Sequence, residues 1–273
     1  PAYHAGLKAG DKILSIDSVS TKGLGLNDAV SKIRGPIGKP VVLSIVSVDQ
    51  SEPRDVAVVR DTIVIKSIQK QALFDNNIGY LKYSTFENKH GSEELKAAIL
   101  ELQAQGSDRL ILDLRDNGGG LLDGAVELTS FFIPTGDVVH TVDRNQDRQS
   151  LSVSGEAFYT DPLVVLLNQG SASSSEIVAG ALKDYNRAVI IGDQSFGKAS
   201  VQNVLPLRDG SAVLYTIAKY LTPNGSNIHE VGISPNIRVK LATEDIKLYY
   251  DPETYSYETD DQLQAAIQYM QAN

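Results

Sequence analysis

The start of the chain carries short apolar segments separated by polar turns, a pattern typical of a small β-rich unit. Residues 13–16 and 41–46 are predicted strands, because apolar and polar positions are arranged there as on a half-buried sheet. Between them, Asn27 is the predicted N-cap of a short helix, which the Gly–Pro pair at 35–36 ends. We therefore expect a small separate domain over residues 1–58.

From residue 59 onward, strands and helices alternate. Continuous apolar runs predict buried strands, and apolar residues spaced three and four apart predict helices. The strands are predicted at residues 78–83, 110–114, 163–167 and 188–191, and the helices from Ser92, over 125–132 and after 170. This alternation predicts an α/β fold of mixed character, with helices packed on a parallel or mixed sheet, over residues 59–242.

Residues 243–273 are predicted to contain a final helix with Leu263, Ile267 and Met270 on one face. This face is a candidate homodimer contact, and packing on the protein's own core is the alternative.

Composition narrows the classes of function. The net charge of -9 disfavours nucleic acid as a partner, and the absence of cysteine excludes thiol catalysis and thiolate metal sites. No apolar run has the length of a bilayer crossing. The chain starts at Pro1 without a signal-like region, so we expect it to be part of a longer product.

Ser173 follows a predicted strand and precedes a predicted helix, a place where the sites of α/β sheets gather. With Glu176 it also fits a capping box, which is a purely structural alternative. The helix that follows is strongly apolar, so its first turn should lie over the sheet, where backbone N–H groups stabilise negative charge. A serine in that place is suited to acyl chemistry.

Lys198 is the candidate base for this serine. Residues 188–191, Phe196, Val201 and Val204 around it are apolar, so burial is expected to lower the pKa of the amine from about 10.4 towards roughly 7–8. A neutral amine can take the proton of a serine hydroxyl. A solvated lysine in a glycine turn is the alternative.

Two other chemistries compete for these residues. Residues 192–199 nearly match a phosphate-binding loop, but Ala199 stands where Ser or Thr should hold magnesium, so no nucleotide is expected. The four histidines have no metal-ligand spacing, and no metal or other cofactor is expected. A Ser/His pair that uses His229 stays open, because triad partners lie far apart in sequence.

Residues 5–16 and 29–35 resemble the later part of a PDZ domain. The resemblance implies recognition of extended C-terminal peptides by strand addition. The loop that binds the peptide carboxylate would precede Pro1, so we expect this PDZ unit to be partial. A generic β-rich accessory domain is the alternative.

Motifs spread over nearly the whole chain resemble the C-terminal processing, or tail-specific, serine peptidases. They are residues 113–120, 170–184, 196–198 with Val201 and Gln202, 221–225 and 232–235. The resemblance implies a core sheet like that of ClpP and crotonase, a cofactor-free endopeptidase acting on protein C-termini, and export to the periplasm or cell envelope. A PDZ-type peptide-binding scaffold without turnover is the alternative.

The same resemblance implies a role for each motif residue. The interval of 25 residues to Lys198 selects Ser173 as the nucleophile. Lys198 would be the general base, and the Gln202 amide would orient it. The backbone N–H groups of Gly119 and Ser174 would form the oxyanion hole.

Two further residues are candidate supporting groups. Asp184 matches another acid of the family motif, with a helix-end carboxylate as the alternative. Arg34 is expected to couple the PDZ unit to the active site.

Overall fold

The fold is taken from a computed structural model of the chain. It describes residues 1–8, 10–47, 50, 52–63, 65–155, 157–208, 210–241 and 255–273. The chain divides into two compact units, Pro1–Ile65 and Lys66–Asn273. None of the helices in the described part combines the length and the apolar character that a bilayer crossing requires. The predicted segment 243–273 falls partly outside the described residues, which resume at Tyr255.

The first unit is an antiparallel sheet with one helix. Its elements are β1 (Lys12–Ile16), β2 (Val19–Ser20), α1 (Leu26–Ile33), β3 (Pro40–Val46) and β4 (Arg54–Val59), and the sheet order is β2-β1-β3-β4. Alternate residues of the strands, among them Ile16, Leu43 and Ile45, form its core. The prediction of Asn27 as the N-cap is wrong, because the helix begins at Leu26 after the extended backbone of Gly25.

The second unit alternates strands and helices, as predicted. Its strands are β5 (Ile68–Phe74), β6 (Ile78–Tyr83), β7 (Arg109–Asp113), β8 (Asp137–Asp143), β9 (Arg148–Ser152), β10 (Leu163–Leu167), β11 (Val189–Gly192), β12 (Ser200–Pro206), β13 (Ala212–Leu221) and β14 (Ile237–Arg238). Its α-helices are α2 (Gly91–Ala104), α3 (Leu122–Ser130), α4 (Ser174–Asp184) and α5 (Asp261–Ala272).

The main sheet has six strands in the order β14-β11-β10-β7-β6-β5. All neighbours pair in parallel except β5, which is antiparallel to β6. Crossover connections that contain α2, α3 and α4 join β6, β7, β10 and β11 in turn, and the carboxyl ends of these parallel strands meet at one edge of the sheet. The predicted mixed α/β fold is confirmed.

Both faces of this sheet are buried, and successive residues of a strand point to opposite faces. In β7, Leu110 and Leu112 join the large core under α2, α3 and α4, whereas Ile111 joins a second core. The second core also contains Leu263 and Met270 of α5. Burial on both faces explains why these strands are continuous apolar runs in the sequence.

A second, antiparallel sheet has the order β12-β13-β8-β9. Apolar side chains of the β12–β13 hairpin are exposed, including Val204 and Leu214. The two hairpins of this sheet extend the unit beyond the six-stranded core.

Candidate active site

Ser173 begins α4 at the carboxyl end of the main sheet. β10 ends at Leu167, and a short loop leads to the serine, which is half-buried. Its backbone has φ 55° and ψ -115°, a conformation that costs a non-glycine residue about 1–3 kcal/mol. The strained turn is therefore held in place by its surroundings, and strain of this kind is concentrated at functional sites.

The turn that follows β7 lies against this serine. A methyl group added to Gly119 would come within 2.8 Å of both the Ser173 Cβ and the Ala172 carbonyl oxygen. Gly119 also has φ 96°, which side chains disfavour. Glycine is thus required here by the backbone conformation and by the close approach of two turns.

The two turns are joined by several hydrogen bonds. The Asp116 N–H donates to Asn168 Oδ1, and Asn168 Nδ2 donates back to Asp116 Oδ1, both at 2.9 Å. The Asn117 carbonyl accepts from the Ala172 N–H at 3.0 Å and from the Ser175 hydroxyl at 2.8 Å. Because of these bonds, a displacement of residues 114–120 would also displace the segment that carries Ser173.

The two predicted oxyanion-hole donors differ in availability. The Ser174 N–H, at the first position of α4, has no acceptor among the described residues. The Gly119 N–H donates to Asn117 Oδ1 at 2.9 Å. Asn117 is fully buried, and its amide also donates to the Tyr83 carbonyl at 2.8 Å.

Glu176 connects the serine to the lysine. One carboxylate oxygen, Oε2, accepts the backbone N–H groups of both Ser173 and Lys198 at 2.9 Å each. The two backbone nitrogens therefore lie no farther apart than twice that distance. The other oxygen, Oε1, accepts from the Gly197 N–H at 2.7 Å and the Ser195 hydroxyl at 2.6 Å.

Glu176 itself is completely buried. The sequence indicated it only as the acid of a capping box, and in the structure it accepts the Ser173 N–H as that motif requires. Its contacts with residues 195–198 were not predicted, since nothing local in the sequence relates positions about 20 residues apart. It is the functional candidate that sequence reasoning missed.

Lys198 and Gln202 are exposed residues that follow this cluster in the chain. Lys198 is exposed, so the prediction that apolar neighbours bury it is wrong. Phe196 is 66% exposed, and Ala199, not Lys198, points into the core. Gln202 is an exposed residue of β12, four positions beyond the lysine and opposite Thr216 of β13.

A recess lies near the start of α3. It has a volume of about 510 Å³ and lies between α3 and the second sheet. Leu122, Leu151, Val201 and Ile217 supply apolar walls. Leu122 follows closely after Gly119 in the chain, and Val201 follows closely after Lys198, but neither Ser173 nor Lys198 lines the recess.

The remaining candidates lie elsewhere. Asp184 ends the helix that Ser173 begins, roughly 16 Å along it, and accepts the Asn224 N–H at 2.8 Å. This contact matches the helix-end alternative. Arg34 is an exposed residue at the end of α1 in the first unit, and its expected coupling role stays a prediction.

His229 lies near the lysine turn. The N–H of its neighbour Glu230 donates to the Gly197 carbonyl at 2.8 Å, and Nδ1 of His229 is buried without a partner among the described residues. The Ser/His alternative therefore stays open.

Comparison with protein families gives two matches. Residues 77–239 match the model of peptidase family S41, and residues 1–47 match a PDZ-domain model. The first match spans more than half of the chain and includes all the candidate catalytic residues named above.

Similar proteins come from several bacteria. The chain is 44% identical over 246 residues to a carboxy-terminal-processing protease of Bartonella bacilliformis, covering 88% of this chain and 56% of that protein. It is 40% identical over 240 residues to a carboxyl-terminal-processing protease of Synechocystis sp., covering 86% and 56%. The chain thus spans little more than half the length of these two relatives.

Solved structures agree with these matches. The photosystem II D1 C-terminal processing protease superposes with a TM-score of 0.63 at 35% identity, over 88% of this chain and 66% of that one. An S41 protease from Bacteroides fragilis shares the fold, with a TM-score of 0.66 at 19% identity, over 100% of this chain and 75% of that one. The order of elements, the junction of the two turns and these likenesses lead to one assignment: the chain belongs to peptidase family S41.

Proposed function

We propose that this chain carries the active site of a serine endopeptidase that cleaves C-terminal regions of proteins. One observation carries the proposal: a single oxygen of Glu176 accepts the backbone N–H groups of both Ser173 and Lys198. The backbones of a serine and a lysine thereby meet at a helix N-terminus, which supports the proposal that their hydroxyl and amine act together in nucleophilic acyl transfer.

The proposed reaction has two steps. The Lys198 amine takes the proton of the Ser173 hydroxyl while Oγ attacks the substrate carbonyl carbon, and the tetrahedral intermediate collapses as the leaving amine receives that proton. Water then attacks the ester, with the same amine as base, and releases the acid and the free serine. Gln202 is proposed to orient the amine through its amide oxygen.

Two features of the free protein must change when substrate binds. Lys198 is exposed, and a substrate strand laid over it would have to remove water from its side chain. The Gly119 N–H, now bonded to Asn117, must turn to or be shared with the oxyanion, whereas the Ser174 N–H is free to donate at once. Binding and activation are therefore coupled.

Two observations support this proposed substrate class. The relatives described above are named for carboxyl-terminal processing, and the first 47 residues match a PDZ domain, a module that binds extended C-terminal peptides. We propose the periplasm or cell envelope as the location, and homodimer formation stays a prediction.

The proposed nucleophile can be tested by trapping. The protein is incubated with an unfolded polypeptide that has a free C-terminus, quenched in acid during turnover, and digested for mass spectrometry. We expect cleavage of the polypeptide and an acyl adduct on the peptide that contains Ser173. Cleavage with the adduct on Ser171, Ser174 or Ser175 would contradict the assignment, and absence of cleavage would favour the peptide-binding scaffold.

Gly119→Ala is expected to lower kcat by roughly 10²-fold or more, because the added methyl group forces the two turns apart and a displacement of about 1 Å can cost that much. Gly118→Ala is the matched control, since a methyl group there meets open space. The measurement is steady-state cleavage of an unfolded substrate by both variants. Equal rates would mean that the contact of the turns does not matter for catalysis.

A further inference from the structure

A segment near the end of the described chain is anchored to the main sheet. α5 buries Leu263, Ala266 and Met270 against the sheet face opposite α4. Just before this helix, Asp260 is 3% exposed, and its Oδ1 caps the helix by accepting the Leu263 N–H at 3.1 Å. Asp260 has a second set of contacts that a helix cap does not require.

Those contacts are with Arg115, whose side chain is completely buried. The guanidinium lies between two carboxylates: Nε and Nη2 donate to Asp113 at 3.0 and 2.7 Å, and Nη1 and Nη2 donate to Asp260 at 2.8 Å each. Nη1 also donates to Gln262 Oε1 at 3.1 Å. Paired, charge-assisted hydrogen bonds of this kind fix orientation as well as supply energy.

The charges of this cluster are matched. Burial opposes the ionisation of Asp113, but the charges of Arg115 and Lys82 and the hydrogen bonds from Arg115 and Tyr80 together hold the pKa of that carboxyl well below its usual range. Lys82 Nζ lies 3.9 Å from Asp113, and the Tyr80 hydroxyl donates to Asp113 at 2.7 Å. Lys82 also lies 3.9 Å from the partly exposed Asp116, whereas the fully buried Arg115 guanidinium lies between Asp113 and Asp260, so the loss of the Asp260 charge leaves it with less compensation.

Arg115 belongs to the turn that touches the serine. Its backbone N–H donates to Asp113 Oδ1 at 2.9 Å, so the guanidinium and the backbone of the turn are held by the same carboxylate. The next residues are Asp116 and Asn117, which bond to the segment carrying Ser173, and the turn then reaches Gly119. Asp260 is therefore linked to the site through one side chain and one short turn.

We propose that Asp260 is a positioning residue for the active site: its carboxylate fixes Arg115, and through it the turn 114–120, in the arrangement that the serine requires. Asp260 touches neither substrate nor reacting atoms. This inference rests on the proposed function for its catalytic consequence, whereas the structural linkage stands independently of it.

The test compares Asp260→Asn with Asp261→Asn. Asparagine keeps a side-chain oxygen suited to the helix cap but loses the charge and one of the two acceptors for the guanidinium. Asp261 is the next residue, is exposed, and undergoes the same chemical change. Two quantities are measured on the whole chain: kcat and KM for an unfolded substrate, and hydrogen–deuterium exchange of the peptides covering residues 114–121.

For Asp260→Asn we expect kcat to fall roughly tenfold or more, KM to stay within about twofold, and exchange in residues 114–121 to rise. Asp261→Asn should match the wild type in all three. A lower melting temperature for Asp260→Asn with unchanged kcat and unchanged exchange would reduce Asp260 to a structural residue and overturn the proposal.

Failure of the proposed function has a different signature. If the wild type cleaves nothing, the endopeptidase proposal fails, and the exchange comparison still decides whether Asp260 holds the turn. Should Asp260→Asn not fold, Asp260→Glu keeps the charge but displaces it by one methylene group. Its kcat and exchange should lie between those of the wild type and those expected for a broken contact, and values equal to the wild type would count against the proposal.

Discussion

Lys198→Ala is expected to reduce kcat/KM for an unfolded substrate by at least about 10³-fold, with little change in stability. The large loss follows because an alanine cannot accept the proton of Ser173, and a serine hydroxyl without a base is a poor nucleophile. Stability should change little, because the Lys198 side chain is exposed and its backbone N–H bond to Glu176 is kept. Cleavage kinetics and thermal unfolding measure the two effects separately.

Two further variants define what this result means. Lys219→Ala removes another exposed lysine, on the β13 residue that pairs with Ser200, and should leave the rate unchanged. His229→Ala tests the competing base. Loss of cleavage in His229→Ala together with retention in Lys198→Ala would replace the Ser/Lys assignment by a Ser/His one.

Glu176→Gln is expected to lower both activity and stability. The carboxylate accepts four donors, two on each oxygen, and the amide group of glutamine would set an N–H against two of them. Leaving such donors unpaired in a buried place costs on the order of 3 kcal/mol, or roughly 6–12 °C in melting temperature for a unit of this size. We also expect kcat to fall by roughly 10²-fold, because the serine and lysine backbones lose their common acceptor.

Glu94→Gln separates these two effects. Glu94 also lies in the first turn of a helix, accepts the Ser67 N–H at 2.8 Å and the Asn88 amide at 2.9 Å, and is remote in the chain from the serine. This variant should lose stability but keep the kcat of the wild type. If Glu176→Gln behaved in the same way, the shared oxygen would have only a structural role.

The sequence predicts the main sheet well because its strands are buried on both faces. β10 was predicted with its observed bounds, since a run of five apolar residues between polar turns has few other interpretations. The second sheet was largely missed. Its hairpins expose apolar residues such as Val213 and Leu214, so the alternation of apolar and polar positions that indicates a half-buried strand is absent there.

The same reason explains the error at Lys198. Val204 and Phe196 are apolar but exposed, so their presence near the lysine in sequence did not mean burial in the fold. The resemblance to a family singled out Ser173, Gly119 and Lys198 as a set. The bonds from Glu176 to residues 195–198 depend on how β11 returns beside β10, which no local pattern reveals.

The hydrogen bonds from Arg115 to Asp260 join residues that are 145 positions apart in the chain. A nascent chain still on the ribosome therefore has β7 and α4 complete while the guanidinium has only Asp113 as a carboxylate partner. Contacts so distant in sequence form late in folding. The second carboxylate that orients the Arg115 side chain should therefore reach its place only after β7 and α4 have been synthesised.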